Sequence, residues 1–288
     1  MESNDGKETN VRPNKARKKA VEPFLVLALF IAMATVAVAA TPQQNENASS
    51  PELATALEPL RPGMTGDQIL VGLVAHNEIR KGALVDYTAL RTYQVRDLRG
   101  KVHAEEVGHM EFRAPDRKTF VVTSESGSAL VRRMALNALI ESEIEAAAGK
   151  QRRDSSISPA NYSFEPLGEQ QVGVHRCFVV RANPKRKDKY LFEGKVWIDV
   201  EDYAVVRIEG HPAKKLSFWV DRADFIRQYQ KIGAFWLPQR DETVAHIRLY
   251  GTKALTIDHQ EYVVHGTTNS GNTATARGVL AHPDVISQ

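Results

Sequence analysis

The chain has one cysteine in 288 residues, Cys177, which excludes an intrachain disulfide and any metal or cluster site built from several thiolates. It also lacks a charge excess of either sign: 38 Lys and Arg face 35 Asp and Glu. The first 22 residues take six of those bases and four of those acids, leaving 32 bases against 31 acids in the other 266. A body so close to neutrality does not have the basic field that a dedicated nucleic-acid binder uses to displace phosphate counterions, and no nucleic-acid partner is expected. Aromatics are only 7%, yet the 42% hydrophobic and 25% charged composition is that of a globular chain. It excludes collagen-like, disordered and polytopic membrane classes for most of the length. Without disulfides, stability has to come from a packed core, and about 200 residues are enough to build one.

What is present is clearest at the N-terminus. Lys15, Arg17, Lys18 and Lys19 precede an apolar run from Phe24 to Ala40 that only Thr35 interrupts. The run ends in Ala37-Val38-Ala39-Ala40, small residues of the kind cut by signal peptidases. Residues 1–40 therefore read as a signal peptide or, uncleaved, as an N-terminal membrane anchor; both place the body outside the cytoplasm, because the basic end stays inside. Residues 41–64, rich in Gln, Asn, Ser and Pro, read as a flexible linker, 65–265 as the folded domain, and 266–288 as a disordered tail.

In the body, Ile69, Leu70, Leu73 and Val74 recur at helical spacing after the candidate caps Thr65 and Asp67, predicting a helix over Thr65 to Ile79. The period then changes to that of strands over Tyr87 to Val95, Val102 to Phe112 and Thr119 to Thr123. A second helix is expected over Ser128 to Ala148, capped by Ser128 and stopped by Gly149. Strands follow over Tyr162 to Pro166, Val174 to Ala182, Tyr190 to Val200, Ala204 to Glu209, Leu216 to Val220, a run reaching Tyr229, Phe235 to Val244, and Thr256 to Val264. The connections are too short for crossover helices, so the strands form an antiparallel meander.

This order of export segment, tether, helix, strands, interposed helix and long meander resembles the periplasmic LolA/LolB-like lipoprotein carriers and their RseB-like relatives. The phrases carrying the likeness are Pro184-Lys185 in a turn, Gly194 to Asp199 followed by Tyr203 to Gly210, Phe218-Trp219-Val220, and Gly233 to Pro238. The resemblance implies a mainly β fold with α, an antiparallel meander forming an unclosed half-barrel with helices covering the concave face. It also implies a periplasmic location and an apolar cavity for the acyl chains of lipid or lipoprotein, with Phe112, Phe192, Ile198, Phe218 and Phe235 as cavity candidates. The alternative is an envelope sensor or protein-interaction module of the RseB type, whose partner is an envelope membrane protein. The family's lid arginine has no secure match at Arg91 or Arg96.

Residues that tempt a catalytic reading have ordinary explanations. His175 and Cys177 share a strand face but no third metal ligand is marked. Ser124, Ser126 and Ser128 lack a nucleophile elbow, and Asp199, Glu201 and Asp202 sit where a hairpin must turn. Lys185, Arg186, Lys187 and Lys189 read first as a solvated loop and second as a contact for anionic headgroups. No cofactor, metal or enzymatic activity is expected.

Overall fold

Alternation of apolar and polar residues sets the strands, and where a short turn joins two of them they pair with each other. The computed structural model describes residues 37–38, 56–146, 155–216, 218–267 and 273–278. The export segment apart from residues 37–38, linker residues 41–55, the expected helix stop at Gly149 and tail residues 268–272 and 279–288 lie outside the described residues.

Strand β1 is the pair Ala37–Val38. Helix α1 (Gly66–Ala83) leads into β2 (Leu84–Asp97), β3 (Val102–Arg113) and β4 (Arg117–Gly127). A helical connection follows, made of α2 (Ala129–Val131), a π-helical segment Arg132–Leu136 and α3 (Asn137–Ala146). The long meander is β5 (Tyr162–Val172), β6 (His175–Pro184), β7 (Phe192–Asp199), β8 (Val205–Pro212), β9 (Val220–Ile232), β10 (Phe235–Ile247), β11 (Gly251–Thr267) and β12 (Thr273–Gly278). All are paired antiparallel in one sheet of order β4-β3-β2-β11-β10-β9-β8-β7-β6-β5; β12 adds to β11, and β1 pairs with Trp236 and Phe235 of β10. The end strands β4 and β5 do not pair with each other, so the sheet is an unclosed half-barrel, with helices packed on its inner face.

Thr65 caps α1 through a capping box: its backbone N–H donates to Gln68 Oε1 at 2.9 Å and its hydroxyl accepts from the Gln68 N–H at 3.3 Å. Such a cap contributes about 1 kcal/mol. Ser128 likewise accepts from the Val131 N–H, as its position before the apolar run predicts.

Three expectations change. The segment Leu216 to Val220 is not a strand: β8 stops at Pro212, β9 starts at Val220, and the described residues between them, 213–216 and 218–219, lie in no strand. Proline cannot donate to a ladder, and the two lysines after it favour water over pairing. The expected linker is fastened well before residue 65. Glu58 exchanges two 2.8 Å backbone hydrogen bonds with Glu169 along the open edge of β5, and Arg61 Nε donates to Glu169 Oε1 at 2.8 Å. The expected tail contains β12, whose alternating Thr and Ala pair with residues 262–267 of β11.

Candidate functional site

On the inner face each central strand carries apolar residues at both ends and polar ones at its middle. Along β2 the buried row is Tyr87, Ala89, Arg91, Tyr93 and Val95; along β3 it is Ala104, Glu106, Gly108, Met110 and Phe112. On β11 it is Leu255, Ile257 and His259, then Tyr262 and Val264 after a bulge at which Glu261 adopts a positive φ of 50°. The extra residue shifts the parity, keeping Tyr262 and His259 on the same buried side. Cross-strand pairing aligns Gly108 with Arg91 and Arg91 with His259, and on the neighbouring pair Arg227 with Asp241. A polar belt therefore crosses the inner face.

The belt is closely bonded. Arg91 Nη1 donates to Glu143 Oε1 of α3 at 2.6 Å and to Tyr93 Oη at 3.2 Å, and Lys118 Nζ donates to the same carboxylate oxygen. Burial alone would raise the Glu143 carboxyl, but Arg91 and Lys118 outweigh it and hold it well below the usual carboxylate range. Farther along, Arg227 Nε donates to Asp241, whose other oxygen lies 3.0 Å from His259 Nε2. Burial is the largest influence on His259 and, with Arg91 nearby, pushes the imidazole down towards its neutral form. The Tyr262 hydroxyl donates to the Pro238 carbonyl at 2.8 Å and sits 3.3 Å from His259 Nδ1. Two buried nitrogens of Arg91, Nε and Nη2, have no hydrogen-bond partner. An unpaired buried donor costs about 1–3 kcal/mol, more on a charged group, so this guanidinium has spare capacity for an acceptor.

The belt divides the apolar surface. Towards one end of the strands, Ala135, Leu136, Leu139 and Ile140 of the helical connection cover Tyr93, Val95, Ala104, Leu255 and Ile257. Towards the other, Leu84, Tyr87, Ala89, Met110, Phe112, Ile232, Phe235, Leu237, Tyr262 and Val264 form a patch built from strands. Among the described residues, the only helical side chain packed against this patch is Ala83 at the end of α1. Beside it, α1 packs Ile69, Leu70 and Leu73 into a larger cluster with Phe178, Val180, Phe192, Val196 and Ile198.

The five cavity candidates separate accordingly. Phe112 and Phe235 come together in the strand-built patch, Phe192 and Ile198 in the cluster under α1, and Phe218 in neither. Phe218 is 68% exposed on the β8–β9 loop, with the Arg248 guanidinium 4.3 Å from its ring centroid, so it lines no inner surface. The belt residues Arg91, Lys118, Glu143, Arg227, Asp241 and His259 were not among the expected site residues, although all six are buried. Their signal was positional, a charged residue at the buried parity of a strand or in the apolar stripe of a helix.

The other candidates are tied into the framework. Cys177 is fully buried, which pushes its thiol up to about 12, and His175 Nδ1 is 3.0 Å from Asp199 Oδ2. Asp199 Oδ1 accepts from the backbone N–H groups of Glu201 and Asp202, closing the hairpin turn, and Asp202 accepts from Trp236 Nε1 at 2.7 Å. Among the described residues no group of three or more His, Cys, Asp or Glu side chains could hold a metal ion.

Glu106, on the buried row of β3, behaves oppositely to Glu143. Burial, then the like charge of Glu125 on β4, raise it to about 7, and Arg132, bonded to Glu125 at 3.0 Å, only partly compensates. Asn137, with its amide oriented to satisfy both groups, donates to Glu106 Oε1. From the ordinary value of 4.5 up to about 7, the folded chain keeps a proton that the unfolded chain has released, so stability falls as pH rises through that window. Glu106→Gln mimics the protonated form and is expected to raise Tm by a few degrees at pH 8 while leaving it nearly unchanged at pH 4. Thermal melts across that range check this; a variant less stable than the parent at pH 8 would refute the assignment.

No protein-family model and no curated protein matches the sequence. Among solved structures, the chain is similar to a DUF1329 family protein from Desulfovibrio piger, with 12% identity over 69% of this chain and 92% of that one, at a TM-score of 0.38. It is also similar to a LolA superfamily protein from Nitrosomonas europaea, with 12% identity over 69% and 93% of the two chains and a TM-score of 0.31. A third similar structure is MucB in complex with MucA(peri), with 9% identity over 67% and 93% and a TM-score of 0.24. Of the three, the Nitrosomonas europaea structure carries the LolA name of the family that the sequence resembles; at 9–12% identity and TM-scores of 0.24–0.38 the likeness assigns this chain no function.

Proposed function

We propose that this chain is an exported, periplasmic carrier that holds the acyl chains of a lipid or lipoprotein on the inner face of its half-barrel and releases them unchanged. The observation that carries this reading is the juxtaposition at the middle of β2. There an apolar, strand-built patch around Phe112 and Phe235 adjoins the buried Arg91, which has two unpartnered donors. An amphipathic ligand has the matching halves. Its tail removes apolar surface from water, at about 0.8 kcal/mol per methylene, and an anionic or carbonyl oxygen of its head accepts from Arg91. The reading assigns no bond-making or bond-breaking step to any residue. Its wall candidates are Phe112 and Phe235, with Met110, Tyr87 and Val264 beside them.

The test is native mass spectrometry of the protein purified from its own envelope without detergent. The expected result is a population heavier by the mass of an acylated molecule, lost on delipidation. A single unliganded mass under these conditions would count against a carrier and favour the RseB-type interaction module.

A further inference from the structure

The registers place four connections at one end of the sheet: residues 98–101 between β2 and β3, 185–191 between β6 and β7, 213–219 between β8 and β9, and 248–250 between β10 and β11. Together they contain nine Lys or Arg and a single acid, Asp188. The turns at the opposite end, residues 114–116, 173–174, 200–204 and 233–234, contain three acids and no base. The base-rich turns of a body that is nearly neutral in sum thus lie together at one end, whereas at the other end Arg113, Arg117, Arg176 and Lys231 flank the three acids. The sequence hides this because the four basic loops are spread over some 150 residues of chain.

The basic rim is also where large apolar side chains face water. Leu249 is 90% exposed, Leu98 70%, Phe218 68% and Tyr250 58%. Two of the loops are tied together: the Arg248 N–H donates to the Trp219 carbonyl at 2.9 Å, and Lys215 and Arg248 both bond Asp221. Phe218, Leu249 and Tyr250 therefore project from a braced edge. Apolar and aromatic tips ringed by flexible bases are the combination that a bilayer interface selects: rings and aliphatic ends enter the headgroup region while Lys and Arg reach the phosphates.

We propose that this rim docks on an anionic lipid bilayer, with Leu249 and Phe218 entering the interface and the surrounding bases lying over lipid phosphates. Docking in this orientation turns the opposite end, with Val174, away from the membrane. It stands whether or not the inner face holds an acyl ligand.

The test uses the full chain reconstituted with vesicles, so that any membrane affinity of the N-terminal apolar run is common to every sample. An environment-sensitive fluorophore is placed at Leu249→Cys or, as the control on the opposite end, at Val174→Cys; the buried Cys177 stays unlabelled. Vesicles of phosphatidylcholine with brominated acyl chains, with or without one third phosphatidylglycerol, report depth by quenching. On the anionic vesicles the probe at 249 is expected to be quenched at least fivefold more than the probe at 174, and on the uncharged vesicles to lose most of that advantage. Replacing Arg99, Lys187 and Lys214 by Gln should lower the docking constant by roughly fivefold per base removed, with circular dichroism unchanged. Equal quenching at the two positions, equal quenching on charged and uncharged vesicles, or full docking by the triple variant would each overturn the proposal.

Discussion

Replacing Glu143 by Gln is expected to destabilise the protein by about 3–5 kcal/mol, the usual cost of removing one partner from a buried ion pair. The carboxylate neutralises two cations at once, Arg91 with no exposed surface and Lys118 with a side chain 1% exposed. Gln keeps an acceptor but leaves both charges uncompensated. At about 2–4 °C per kcal/mol for a body of this size, Tm should fall by roughly 10 °C. The loss should also remove part of the acid sensitivity: a carboxylate held below its ordinary range contributes stability above that range and loses it as pH falls through the depressed value. The triple variant Arg91→Met, Lys118→Met and Glu143→Leu separates charge from packing. Because well-packed apolar groups often replace a buried ionic cluster at no cost, it should recover to within about 1 kcal/mol of the parent. A neutral Glu143→Gln, measured by denaturant or thermal unfolding, would mean that α3 is not seated over Arg91.

The same residues show what was legible in the sequence. The meander was, because short turns between β-rich runs leave antiparallel pairing as the only arrangement, and so were both helix starts at Thr65 and Ser128. Half of each belt contact was also visible. Tyr87, Tyr93 and Val95 fix the buried parity of β2, and Arg91 shares it; Leu136, Leu139 and Ile140 define an apolar stripe, and Glu143 continues it at the next turn. What could not be read is that these two misplaced charges answer each other, since 52 residues separate them and no local rule pairs them. On β11 even the parity was obscured, because the bulge at Glu261 puts His259 and Tyr262 on one side against simple alternation. Phe218 failed for the opposite reason. An aromatic in a β-rich phrase was taken to point inward, but Pro212 ends the preceding strand and leaves the phrase in a loop. The strand β12 was missed because Thr and Ala alternate without a large apolar residue, so its pairing depends on the free edge of β11 rather than on burial of its own.

An acyl tail held on the inner face beside Arg91 should show itself as a dependence of affinity on chain length. Each methylene buried against Phe112, Phe235 and their neighbours gains about 0.8 kcal/mol, close to fourfold in affinity, as an upper limit for complete burial. From an eight-carbon to a fourteen-carbon acid, Kd should therefore fall by about fiftyfold or more, even if only about half of that gain is realised. The carboxylate contributes separately: Arg91→Met should weaken every member of the series by a similar factor and leave the slope per methylene unchanged. Raising salt should affect a buried head-to-guanidinium contact less than an exposed one. The measurement is a titration of the delipidated protein with fluorescent fatty acids of increasing length. Affinity is expected to climb steadily with length and to drop in parallel for Arg91→Met; absent binding, or affinity independent of length, would rule out an acyl site on this face.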